Sequence, residues 1–290
     1  MPGWTLYDAG SAPPHPKWIH ARDRYQFATN GYMVIRNVIP ESLVANAVRD
    51  IADFVGADLA DSGTWYRAPA VLDGVVPMHH AQSFWEIRQH PNLYQVFSEH
   101  FGTGRLRVDI NRCMFRPPVH PKHPTRSLGD IHWDTDPQAD EEPTLQAVVL
   151  LSPIGNDRGG FQCIPEIYRN LRTWLKENLR TDEVFDFRHA ALRHPGTIQV
   201  EANAGDIIIW STKLPHGSAV NRSSQPRMAM FVTLQPPQDS QALRDQIKEL
   251  WLTKRAPEHW RDLPSQLDPE PGPPAELTEL GRKLLGLHPW

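Results

Sequence analysis

Proline occupies 28 of 290 positions, about twice its ordinary share. A proline cannot donate a backbone hydrogen bond and breaks a helix interior, so a chain punctuated this often cannot be a long-helix bundle. It suits many short elements joined by ordered loops around a β-rich core. From about residue 105 short strand patterns recur: 106–115, 145–151, 159–164, 197–201, 207–210, 217–220 and 228–234, separated by Gly, Pro and Asp turns. Regular spacing of this kind predicts a sandwich or barrel. Helices precede it. Residues 21–30 read as a short helix, and Gly31 releases a strand over 32–36. Val44, Ala47, Val48, Ile51 and Val55 lie on one helical face, which Ser42 can cap. A further helical stretch over 83–101 is interrupted by Pro91 and closed by Gly102. Helices are also expected over 165–179, 240–254 and 277–285.

The expected organisation is one domain over 1–290: an N-terminal arm and helices (1–104), a β core (105–236) and a C-terminal helical cover (237–290). Lys and Arg total 30 against 34 Asp and Glu, a net charge of −4, which argues against a nucleic-acid partner. The longest strictly apolar run is residues 147–151, too short to span a bilayer. The first residues carry no basic-then-apolar export pattern, so a cytoplasmic protein with no membrane partner is expected. Nothing in the sequence specifies an oligomeric state. Cys113 and Cys163 form neither a disulfide framework nor a thiolate cluster, so any metal must be held by His and carboxylate.

The densest candidate chemistry is residues 130–136, Asp-Ile-His-Trp-Asp-Thr-Asp. On an extended backbone His132 and Asp134 point the same way and can share one ion. On spacing alone, a solvated acidic turn explains the segment as well. A second imidazole, His216, follows a strand, and Arg227 comes eleven residues later at the start of another. Two imidazoles and one carboxylate form the facial triad that leaves three adjacent positions open on Fe(II). A 2-oxo acid can take two of these and O₂ the third. The far carboxylate of that acid needs a permanent planar partner, which an arginine supplies better than a lysine.

These motifs, in this order, resemble the phytanoyl-CoA dioxygenase-like branch of the Fe(II)/2-oxoglutarate-dependent oxygenases over about residues 24–236. The resemblance rests on Asn30-Gly31-Tyr32-Met33-Val34-Ile35, on Ile131-His132-Trp133-Asp134 and on Gly159-Gly160-Phe161-Gln162-Cys163-Ile164-Pro165. It continues through Ala204-Gly205-Asp206-Ile207-Ile208-Ile209-Trp210, His216-Gly217-Ser218 and Asn221-Arg222-Ser223, and ends at Arg227. It implies a mainly β fold with flanking helices around a double-stranded β-helix (jelly-roll, cupin-like) core. Iron ligands would be His132, Asp134 and His216. Arg227 would bind the distal 2-oxoglutarate carboxylate, with Ser218 adding a hydrogen bond. Asn111, a polar residue on the strand before the His-x-Asp, would help hold the same co-substrate. Related halogenases have a small residue where Asp134 stands, so its carboxylate favours oxygenation. The implied reaction hydroxylates a C–H bond of a small-molecule metabolite and releases succinate and CO₂. Desaturation, epoxidation or rearrangement on the same cofactors, or a non-catalytic cupin-like binding module, remain open on sequence.

Other residues have plainer readings. His79 and His80 could reach substrate, but surface or core packing accounts for them better. His120 and His123 sit among prolines and suit a lid or rim better than a second metal. Trp133, Trp210 and Cys163 read as core, and Arg222, the competitor of Arg227, as solvated. The specificity loops are expected at 65–80 and 120–128.

Overall fold

A computed structural model describes residues 18–67, 74–123, 131–139, 144–178, 194–238, 240–256 and 272–290. Two antiparallel sheets form its centre. The larger is ordered β1-β8-β5-β10-β3-β2, with β1 at Tyr32–Ile35, β2 at Val75–Val76, β3 at Arg107–Arg116, β5 at Leu145–Leu150, β8 at Ile207–Ser211 and β10 at Arg227–Gln235. The smaller is ordered β4-β9-β6-β7, with β4 at Ile131–His132, β6 at Phe161–Cys163, β7 at Ile198–Gln199 and β9 at His216–Ser218. This is the expected mainly β, jelly-roll arrangement.

The large sheet is covered on both faces, which explains strands that are apolar throughout. Ala147, Val149, Ile207 and Ile209 point to a core shared with the helices. Val148, Leu150, Ile208 and Trp210 point the other way, to a core containing Phe161 and Cys163 of the small sheet. Alternation of period two sends neighbouring residues into different cores.

Helices α1 (Ala21–Asn30), α2 (Glu41–Val55), α3 (Gln82–Arg88) and α4 (Pro91–Phe101) precede the core strands; α5 (Pro165–Arg169) and α6 (Leu171–Asn178) interrupt them. Helices α7 (Gln241–Thr253) and α8 (Glu279–Leu284) follow. α2 buries the expected Val44, Ala47, Ile51 and Val55. Its N-cap is Pro40, not Ser42, and no side chain caps it, because helical geometry begins one residue before the serine. The helix expected over 165–179 is two segments, broken at Asn170. Gly31 ends α1 at φ 77°, and a Cβ there would lie 2.8 Å from the Tyr168 ring, so both backbone and packing require glycine. Most of the expected N-terminal arm and residues 124–128 of the expected lid lie outside the described residues. Among the described residues no helix is long and apolar enough to cross a membrane.

The Ala204-Gly205-Asp206 turn joins β1 to the core through one carboxylate. Asp206, 1% exposed, accepts from Arg36 Nη1 at 2.7 Å and from the backbone N–H groups of Asn37 and Asn203 at 2.9 and 2.8 Å. Asp206→Ala leaves these donors unsatisfied and should lower unfolding free energy by about 3 kcal/mol, measured by urea denaturation. An unchanged midpoint would show that the turn does not depend on this carboxylate.

Candidate metal centre

His132 and His216 are brought together by strand pairing. β4 and β9 are antiparallel, and the two histidines are direct cross-strand partners, with ring centroids 5.2 Å apart. Asp134, two residues beyond His132, completes the group. Its Oδ1 lies 3.2 Å from His132 Nε2 and its Oδ2 lies 3.4 Å from His216 Nε2. One ligand atom from each residue falls within 4.8 Å of the others.

The donor chemistry calls for a cation. His216 Nδ1 lies 3.0 Å from the Leu214 carbonyl oxygen, which can only accept, so Nδ1 carries the proton. The neutral ring then presents the Nε2 lone pair to a carboxylate oxygen, and two such groups repel unless a positive charge lies between them. A divalent ion fits this set. Burial alone would push the Asp134 carboxyl up, but with no ion between them the facing His132 and His216 rings, together with the Gln146 amide, outweigh it and hold the group well below the usual carboxylate range. His216 is 6% exposed, with Phe161 stacked at 5.9 Å and Trp210 at 5.0 Å between ring centroids.

Arg227 opens β10 and is 3% exposed. Its Nη1 donates to Ser218 Oγ at 3.2 Å and touches the Met114 sulfur. Its Nε is buried without a hydrogen-bond partner, and it pairs with no carboxylate among the described residues. Burial, with the charge of Arg116 opposite it, pushes its pKa down to about 9. A buried cation lacking a counter-ion is costly, so this group fits an incoming carboxylate. Arg222 is exposed and faces Asp157 at 3.8 Å, away from this role.

Asn111 lies in β3. Cys113 pairs with Met230 and Ile110 with Val232, so Asn111 and Arg112 together oppose the single Phe231 in a bulge. Ile110 and Cys113 consequently both face the helix-side core, although they are three residues apart. Asn111 is exposed and its Oδ1 accepts the backbone N–H of Arg112 at 2.8 Å. Burial lowers the pKa of Arg112, while attraction from Asp134 opposes that shift.

Trp133 and Cys163 are fully buried, and His79 is 1% exposed. His120 is exposed and His123 half-buried, and both lie beside Tyr66, with the His123 ring stacked on it at 4.6 Å. One residue, Gln146, escaped the sequence reading. Gln146 donates from Nε2 to Asp134 Oδ2 at 2.6 Å, and Trp210 Nε1 donates to Gln146 Oε1 at 2.9 Å. The available signal was a lone amide in the apolar run Leu-Gln-Ala-Val-Val-Leu, where a polar side chain must find partners.

The family model described as Phytanoyl-CoA dioxygenase (PhyH) matches residues 27–229. A Dictyostelium discoideum protein named "Putative phytanoyl-CoA dioxygenase" is 26% identical over 316 residues, covering 90% of this chain and 86% of its own length. Among solved structures, GlcNAc Inducible Gene 2 (GIG2, DUF1479) from Candida albicans matches with a TM-score of 0.69 at 12% identity, over 95% of this chain and 78% of that one. HygX from Streptomyces hygroscopicus, solved with nickel and 2-oxoglutarate bound, has a TM-score of 0.50 at 17% identity, over 75% of this chain and 87% of its own. At such identities the structural matches establish the fold.

Asp134→Ala should weaken Mn(II) binding by at least about 100-fold in a calorimetric titration, since it removes a ligand and not merely a ligand's support. Parent-like affinity would take Asp134 out of the site.

Proposed function

The chain belongs to the phytanoyl-CoA dioxygenase family of Fe(II)/2-oxoglutarate-dependent oxygenases, and we propose that His132, Asp134 and His216 hold its iron while it hydroxylates a C–H bond of a small-molecule metabolite. The observation that carries the site assignment is the convergence of these three side chains, with their ligand atoms within 4.8 Å of one another. When bound, Fe(II) with 2-oxoglutarate and O₂ supplies oxidative decarboxylation to succinate and CO₂ and the power to take hydrogen from a C–H bond.

The protein's own residues do the positioning. The Leu214 carbonyl fixes the His216 tautomer and so aims its Nε2 lone pair. Arg227 receives the distal carboxylate of 2-oxoglutarate, and Ser218 orients its guanidinium. Phe161 and Trp210 wall one side of His216 and keep water from it. Asn111, at the bulge of β3, stands as a further contact for the co-substrate. HygX, which shares the fold, was solved with nickel and 2-oxoglutarate bound, which supports a metal and 2-oxoglutarate as the groups held here. The presence of Asp134 favours oxygenation over halogenation, because its carboxylate takes the position a halide needs.

Anaerobic addition of Fe(II) and 2-oxoglutarate should produce a visible charge-transfer band, and aerobic incubation should release succinate. Neither would occur in a non-catalytic binding module. Arg227→Gln should raise the 2-oxoglutarate KM about 10- to 100-fold and leave metal affinity unchanged, while Arg222→Gln should change neither. The opposite pattern would transfer the anchor to Arg222.

A further inference from the structure

Strand β5 holds one side chain that its apolar surroundings do not explain. Gln146 pairs across the sheet with Trp210 of β8. An indole N–H can only donate, so the Gln146 amide must turn its oxygen toward Trp210, where Oε1 accepts at 2.9 Å. That choice leaves the NH₂ group facing the other way, 2.6 Å from Asp134 Oδ2. The orientation of the amide is therefore set by the tryptophan and cannot be exchanged without losing both hydrogen bonds.

Asp134 needs such a restraint. It lies beyond the end of a two-residue strand, and its side chain is 42% exposed, so neither regular structure nor packing fixes its rotamer. Gln146 engages Oδ2, which also lies 3.4 Å from His216 Nε2, whereas Oδ1 faces His132 Nε2 at 3.2 Å. The ring of Trp210 also lies against His216, with centroids 5.0 Å apart. One indole thus touches one histidine of the triad directly and reaches the aspartate through an amide.

We propose that Gln146, locked by Trp210, is a positioning residue that reserves Oδ2 of Asp134, so that Oδ1 alone is presented to the metal. The inference rests on the reading that the triad holds iron. A carboxylate bound through one oxygen takes one coordination position, whereas chelation through both would consume a position that 2-oxoglutarate or O₂ requires. Outer hydrogen bonds of this kind commonly govern metal affinity.

The test is Mn(II) affinity, followed by electron paramagnetic resonance, beside the melting temperature of the metal-free protein. Gln146→Leu should weaken Mn(II) binding about 10- to 100-fold and leave the metal-free melting temperature nearly unchanged. Trp210→Phe keeps an aromatic ring against His216 but removes the N–H, and should weaken binding several-fold. Combined with Gln146→Leu it should add nothing, because the indole N–H acts on Asp134 only through the amide. Parent-like affinity in Gln146→Leu, or additive losses in the double variant, would overturn the proposal. Gln146→Asn, too short to reach both partners, should show the same loss and serves if the leucine variant does not fold. Parent-like Mn(II) binding by Asp134→Ala would instead overturn the triad reading; loss there with retention in Gln146→Leu would overturn only the positioning role.

Discussion

The site depends on a cross-strand pair. His132 and His216 are opposite one another in the antiparallel pairing of β4 with β9, the shortest strands that could hold them. Side chains on a strand alternate between faces, so a slip of one residue would turn one imidazole out of the site and leave Asp134 with a single imidazole partner. β6 braces this register from the other edge of β9, where Cys163 pairs with His216 and Phe161 with Ser218. The Gly-Gly that precedes β6 permits the close approach: a Cβ on Gly160 would lie 2.5 Å from Ile154.

The second constraint is electrostatic. Three lone-pair donors converge at one end of the site and a buried guanidinium at the other, each arrangement unfavourable until filled. His216 and Arg227 are sunk among aromatic and sulfur-bearing side chains, which raises the strength of any charge interaction made there. A metal at the first and a dicarboxylate at the second, as proposed, would offset both. The large sheet can sustain this cost because helices and the small sheet cover its two faces with separate apolar cores.

Much of the chemistry was legible in order along the chain. His132-x-Asp134, His216 and Arg227 stand out because their residue types are the ones that metal and carboxylate recognition require, and the strand pattern around them has period two. Ser42 misled because a good capping residue lay two residues past the cap position, and the bulge that places Asn111 and Arg112 side by side is revealed only by pairing with β10. Gln146 carried no motif at all. Its role follows from a donor on one strand and an acceptor on a loop, neither near it in sequence.

Residue chemistry and short-range periodicity, which are local properties, suffice to indicate a β-rich core and to single out candidate ligands and a candidate arginine. Convergence is not local. Which histidine faces which, which oxygen of Asp134 is occupied, and whether position 111 or 112 turns toward the carboxylate depend on register and on one bulge, and those are settled only when distant strands pair and bury their faces together.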